Sequence, residues 1–194
     1  MGLTGGLASG KSTAARYLRD RHGLPVWDAD RLAAEGLALH TAQVQERYGP
    51  SVRNPDGTLN RGAIAEIVFA DAAERHWLET LLHPYVRDRL QSAVGSAEPL
   101  GILDVPLLWE AHMVDLINEV WVVFCTPAQQ RQRAAQRHGW SPAHIEARLA
   151  AQWPLATKAQ QADLVLDNCQ DLPHLYAQID RAVAQVTQRL PHPP

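Results

Sequence analysis

The chain has 194 residues, 18 basic and 21 acidic side chains, and a formal net charge of −3. With 46% hydrophobic and 20% charged residues it reads as a globular protein able to bury a sizeable core, as one unit or one core with a small insert. The mildly acidic balance argues against a nucleic-acid coating protein, and neither a membrane span of roughly 20 apolar residues nor a secretory leader is expected.

In chain order, the short apolar start Met1 to Thr4 predicts a strand that runs into Gly5-Gly6-Leu7-Ala8-Ser9-Gly10-Lys11-Ser12-Thr13. Residues Ser12 to Asp20 have helical spacing, and Gly23 supplies the stop. Leu24 to Trp27 reads as a strand ending in Asp28-Ala29-Asp30, followed by a helix from Arg31 to about Leu39. From Thr41 to about Gly95 no strand signal appears. Turn clusters at Tyr48-Gly49-Pro50 and Asn54-Pro55-Asp56-Gly57 separate apolar residues at helical spacing, and Pro84 is expected to start or kink a helix just after His83. Leu100–Val105 and Glu119–Cys125 read as buried parallel strands, since helices on both faces remove the usual alternation. Helices are expected at Pro127–His138, at Pro142 to about Ala151 and at Leu172–Leu190, with a last strand at Asp163–Asp167 and a frayed tail at Pro191 to Pro194. Alternation of strands and helices predicts an α/β fold on an open parallel sheet. Most of the six tryptophans are expected in the core. Cys125 and Cys169 form no metal pattern and no disulfide framework, which suits a reducing cytoplasm.

Gly5-x-x-x-x-Gly10-Lys11-Ser12 is a complete phosphate-binding loop. Its glycines let successive backbone N–H groups turn inward as a nest at a helix N-terminus. Gly6, Ala8, Ser9, Gly10 and Thr13 belong to that cradle. Lys11 should reach the β- and γ-phosphates, and Ser12 should ligate Mg²⁺. Asp28 and Asp30 follow a strand, where doubly wound sheets bind ligands. From spacing alone, Asp30 either handles an acceptor hydroxyl or caps the next helix. Asp104 ends another apolar strand and is either an acid holding magnesium through water or a turn residue. Arg133 and Arg137 share a helix face, which serves either phosphoryl transfer or solvation. Of the 18 basic residues only Lys11 and Lys158 are lysine.

Taken together, these stretches resemble the dephospho-CoA kinase family. The likeness runs from Gly2 to about Asp171 and is carried by the phosphate loop, by Asp28-Ala29-Asp30, by Gly57 to Arg61 with Ile67-Val68-Phe69, and by Leu82-His83-Pro84. It continues through Leu103-Asp104-Val105-Pro106-Leu107-Leu108 with Glu110, then Arg148-Leu149 with Gln152, and Lys158 leading to Ala162-Asp163 and Asn168. The resemblance implies a P-loop kinase-like parallel sheet with helices on both faces, a helical substrate-binding insert and a lid. Residues 1–40 and 98–194 would form the nucleotide-binding core, with a lid at about 137–160, and residues 41–97 the CoA-binding insert. It implies ATP-dependent phosphorylation of the ribose 3′-hydroxyl of dephospho-CoA with ATP and Mg²⁺, in the cytoplasm, without nucleic acid, membrane or an obligate protein partner. Asp30 would be catalytic together with Lys11 and Arg137. Arg137 and Asn168 would bind nucleotide, and Arg61, His83 and Glu110 would join Asp30 at the acceptor.

The chain departs from the resembled pattern in three places. Only Met1 and Gly2 precede Leu3-Thr4, so either an upstream start or a short central strand is expected. Ala34 stands where Arg is frequent, with Arg31 one turn earlier, and Trp109 replaces Phe. Another small-molecule or nucleoside monophosphate kinase stays open as an alternative, as does a P-loop nucleotide-dependent switch protein. Against the switch, no Asn-Lys-x-Asp guanine-reading sequence occurs.

Overall fold

The computed structural model describes residues 1–96 and 100–190. The expected tail at 191–194 and the insert boundary at 97–98 lie outside the described residues. Strands β1 (Gly2–Gly5), β2 (Val26–Asp28), β3 (Ile102–Asp104), β4 (Val120–Phe124) and β5 (Leu164–Asp167) form a five-stranded sheet in the order β2-β3-β1-β4-β5. β1 pairs in parallel with both β3 and β4, placing Leu3 opposite Asp104 and Trp121, and β4 pairs in parallel with β5. β1 is therefore the middle strand, and its loop opens at the centre of the carboxyl edge, where open α/β sheets bind ligands.

The chain packs as two compact units, Met1–Trp27 with Ala93–Pro194, and Asp28–Ser92. The core of the first joins Leu3, Ile102, Trp121, Val123 and Leu166 of the sheet to Ala14, Ala15 and Leu18 of α1 (Lys11–His22) and to Leu175, Ile179 and Val183 of α9 (Leu172–Arg189). The three-to-four residue spacing of those helical positions is one apolar stripe on each helix. α1 ends where Gly23, at φ 66°, turns left-handed and returns its N–H to the last carbonyls, a conformation that costs a Cβ-bearing residue about 1–2 kcal/mol. α6 (Pro127–His138) starts on a reciprocal Thr126–Gln129 capping box with Pro127 in its first turn, and Ser141 caps α7 (Pro142–Ala150). A further short helix, α8 (Leu155–Gln160), went unforeseen because six residues are too few to show a period.

The second unit contains α2 (Ala29–Leu39), α3 (Thr41–Tyr48), α4 (Arg61–Ala70) and most of α5 (Ala72–Ser96) around Leu37, Val44, Val52, Ile64 and Leu82. α2, which the sequence reading put with residues 1–40, belongs to this unit. Gly36 lets α2 approach α5 closely, since a Cβ there would stand 2.9 Å from the Tyr85 ring. The turn at Asn54 to Thr58 closes through the Gly57 N–H on the Asn54 carbonyl, and Arg53 bridges Leu59. Pro84 does not start a helix: it lies inside α5. An interior proline costs about 3 kcal/mol or more, and burial of Leu82, Val86 and Leu90 along the same helix outweighs it. Of the tryptophans only Trp121 lies fully in the core, and Trp153 is 43% exposed.

Candidate phosphoryl-transfer site

The phosphate loop occupies Gly6–Gly10, between β1 and α1. Two residues in it hold left-handed backbone, Ala8 at φ 54° and Gly10 at φ 101°. In this curl the N–H groups of Thr13 and Ala14 donate to the Gly10 carbonyl at 2.9 and 3.1 Å, and those of Lys11 and Ser12, at the very start of α1, are the helix N–H groups left to turn towards the loop's hollow. Second contacts fix the curl. The Ser9 N–H donates to the Gly6 carbonyl at 3.1 Å. The Asn168 amide donates to the Ser9 carbonyl at 2.7 Å. Gln130 Nε2 donates to the Leu7 carbonyl at 2.8 Å, and the Leu7 N–H donates to Gln152 Oε1 at 3.2 Å. Gln130 and Asn168 are both buried. Asn168 was expected at the site through the resemblance. Gln130 was not, because one glutamine on a polar helix has no distinguishing pattern.

Lys11 heads α1, and its ammonium group is ion-paired with the Asp104 carboxylate at the end of β3. Both side chains are largely buried, at 12% and 5% exposure, so neither charge is well solvated and both need compensation from polar partners. Ser12, one residue on, is exposed. Beside the loop, an open cavity of about 510 Å³ is lined by Ala8, Gly10, Thr13, Arg133, Arg137 and Asn168, together with Gln136 and the turn Gln170–Leu172. Arg133 Nη2 donates to the Asn168 carbonyl at 2.9 Å, while its buried Nη1 has no hydrogen-bond partner among the described residues. Arg131, by contrast, is spent on Glu146 at the surface. Other cavities, of about 310 and 720 Å³, lie at the opposite, amino edge of the sheet around Glu119 and Arg189, away from the phosphate loop.

Next to this cavity, Asp167 accepts the Cys169 N–H at 2.8 Å. Hydrogen bonds from Cys169 hold the Asp167 carboxyl below its usual range. Desolvation and then the facing Asp167 push the Cys169 thiol up to about 11. Burial also raises the Cys125 thiol. Both cysteines are free.

Three expected acceptor-side residues belong to the second unit. Asp28 caps α2: its Oδ1 accepts the N–H groups of Asp30 at 2.8 Å and Arg31 at 3.3 Å. Asp30 is not the cap, and it stands exposed in the first turn of the helix. Arg61 is the exposed first residue of α4, after the Asn60 cap, and His83 is half-buried within α5. Arg31, the candidate substitute for the arginine missing at Ala34, pairs with Glu35. Glu110 belongs to the first unit, where Lys158 holds it at 2.8 Å.

A nucleotide-phosphate nest on the central strand, a lysine fastened to a strand-end acid and an arginine-lined cavity alongside define the molecule as a P-loop kinase-like protein. The profile of the dephospho-CoA kinase family matches residues 1–174. A dephospho-CoA kinase of Synechococcus sp. (strain JA-2-3B'a(2-13)) is 45% identical over 223 residues, covering 97% of this chain and 93% of that one. Among solved structures, TT1252 from Thermus thermophilus superposes with a TM-score of 0.84 at 32% identity, over 95% of both chains. The dephospho-CoA kinase of Campylobacter jejuni shares the fold, with a TM-score of 0.73 at 20% identity over 96% of both chains. The chain belongs to the dephospho-CoA kinase family.

Proposed function

We propose that the phosphate loop, Asp104 and the arginine-lined cavity bind ATP, and that Asp30 acts on the acceptor hydroxyl. As a dephospho-CoA kinase, the protein transfers the γ-phosphoryl group of ATP to the ribose 3′-hydroxyl of dephospho-CoA, giving CoA and ADP in the last step of coenzyme A biosynthesis. The observation that carries the site assignment is the buried Lys11–Asp104 pair at the mouth of the nest. In our reading Lys11 exchanges Asp104 for the β- and γ-phosphates, while the loop and first-turn N–H groups that are not already spent, as those of Leu7, Ser9 and Thr13 are on Gln152, Gly6 and Gly10, take the remaining oxygens. Arg133 and Arg137 face the nucleotide in the cavity beside Asn168. The acceptor oxygen attacks phosphorus, the bond to the bridging oxygen breaks, its electrons leave with ADP, and the hydroxyl proton passes to Asp30. Such transfers have loose transition states, so positioning and neutralisation of charge outweigh the base.

Mg²⁺ fits the donor set. Ser12 offers an exposed hydroxyl and Asp104 a carboxylate, and among the described residues no cluster of three His, Cys, Asp or Glu forms a dedicated cage. Mg²⁺ prefers to keep its waters and to take few protein oxygens. Ser12 directly and Asp104 through water would hold it, and the ion would neutralise phosphate charge.

Asp30 is assigned on two grounds. Asp28 already caps α2, and the first turn after β2 begins where the strand ends. Arg61 and His83 are assigned to the acceptor with it. We read residues 137–160 as the lid, residues 41–97 as the CoA-binding insert, and the cytoplasm, where free thiols persist, as the compartment. Among the described residues no helix is long and apolar enough to cross a membrane. The test is ADP release. It should rise with dephospho-CoA and not with nucleoside monophosphates or shikimate. A phosphorylated product other than CoA would refute the reading.

A further inference from the structure

Lys158 is the more puzzling of the two lysines. It sits on the six-residue α8 and is 0% exposed. Burying an ammonium group costs several kcal/mol unless geometry compensates closely, and an apolar residue of similar volume is often no worse for stability. Its contacts indicate what the charge does. Nζ donates to the Pro106 carbonyl at 3.0 Å and pairs with Glu110 Oε1 at 2.8 Å. Pro106 lies two residues beyond Asp104, and its carbonyl also accepts the Thr4 hydroxyl of β1 at 3.2 Å. Glu110 Oε1 in turn accepts the Trp153 N–H at 2.8 Å. The segment thus anchored also meets the phosphate loop: Gln152 Oε1 accepts the Leu7 N–H, and a Cβ placed on Gly6 would stand 3.5 Å from the Leu155 side chain. One buried cation therefore ties the loop that follows Asp104 to the residues that hold Gly6 and Leu7.

We propose that Lys158, with Glu110 as its counter-ion, is a positioning residue for phosphoryl transfer. It sets the spacing between the strand end bearing Asp104 and the phosphate loop, and it touches no substrate. Glu110 has one oxygen committed to Lys158 and Trp153, while its other, Oε2, is buried without a hydrogen-bond partner among the described residues. It is the committed oxygen that ties Glu110 to the fold and makes it the counter-ion. A compact ammonium can reach a carbonyl and a carboxylate in a closed space. A guanidinium, with its planar fork, is larger and needs more partners.

The inference rests on the phosphate-site reading above. Dephospho-CoA-dependent ADP release by the unaltered protein, run alongside, tests that reading separately. Two variants test Lys158. Lys158→Met with Glu110→Met removes both charges together, so neither is left buried alone, and Glu110→Gln keeps volume and an acceptor oxygen for Lys158. In the double variant we expect a melting temperature near that of the parent and kcat lowered at least about tenfold. KM for ATP and for dephospho-CoA should stay within about threefold, the signature of an interaction realised only in the transition state. Glu110→Gln should move kcat in the same direction by a smaller factor. Parental kcat in the folded double variant would show that the pair serves packing alone and overturn the proposal. A raised KM for dephospho-CoA with kcat unchanged in Glu110→Gln would also overturn it, by placing Glu110 on the acceptor.

Discussion

Gly10→Ala probes the phosphate loop through two separable costs. Gly10 holds φ 101°, and left-handed backbone costs an alanine about 1–2 kcal/mol. A Cβ there would also collide with the side-chain amide of Asn168, whose hydrogen bond to the Ser9 carbonyl is fully buried. Driving that amide away forfeits about 1 kcal/mol for the bond and leaves a buried carbonyl unpaired, for a further penalty of similar size. The sum is about 3–4 kcal/mol, and at about 2–4 °C per kcal/mol for a chain of this length the melting temperature should fall by roughly 6–16 °C. The loss of Asn168 enters both this variant and Asn168→Ala, so the double variant should fall short of the sum of the singles by about 1 kcal/mol or more. Denaturant melts of all four proteins measure this directly. Additivity within about 0.5 kcal/mol would refute the coupling, and an unchanged midpoint for Gly10→Ala would refute the strain.

Asp30→Asn should lower turnover by roughly 10²–10⁴-fold while leaving KM for ATP within about threefold, and near-normal turnover in steady-state assays would remove Asp30 from the chemistry. Lys11→Arg should be nearly inactive, down roughly 10²-fold or more, because a guanidinium replaces a point charge in a largely closed space. Turnover close to the parent's would show that the position needs only positive charge. For Cys169 the thiol is raised to about 11, so its alkylation rate, followed by mass spectrometry of the labelled peptide, should keep climbing to about pH 11. The folded chain keeps a proton there that the unfolded chain loses from about pH 9. The corresponding stability is therefore whole below about pH 9 and declines as pH rises towards 11. A plateau in alkylation by pH 9 would contradict the burial and the Asp167 contact.

Much of the site was legible because its chemistry is local. The phosphate loop needs Gly5, Gly10, Lys11 and Ser12 at fixed spacing so that adjacent N–H groups converge, and adjacency in sequence guarantees the geometry. The same holds for the helix stop at Gly23, whose effect reaches only a few residues. The six-residue α8 was invisible because it is shorter than two helical turns, and of the two expectations for Pro84, a helix start or a kink, the start fails because burial elsewhere along α5 overrules the local cost of an interior proline. Whether Asp30 caps the next helix depended on where the helix starts, which spacing leaves undetermined: Asp28 is the cap.

Composition, apolar periodicity and the glycine-rich motif thus determined an α/β protein, most of its helices and strands, and a nucleotide-phosphate nest at its start, since each follows from interactions within a few residues. The strand order β2-β3-β1-β4-β5 was decided by tertiary structure alone, as were the pairing of Lys11 with an acid 93 residues away and the burial of Lys158 against Glu110. Those depend on which apolar faces cover one another, and two charged side chains far apart in sequence carry no mark of their partnership until the sheet brings them into the same dry space.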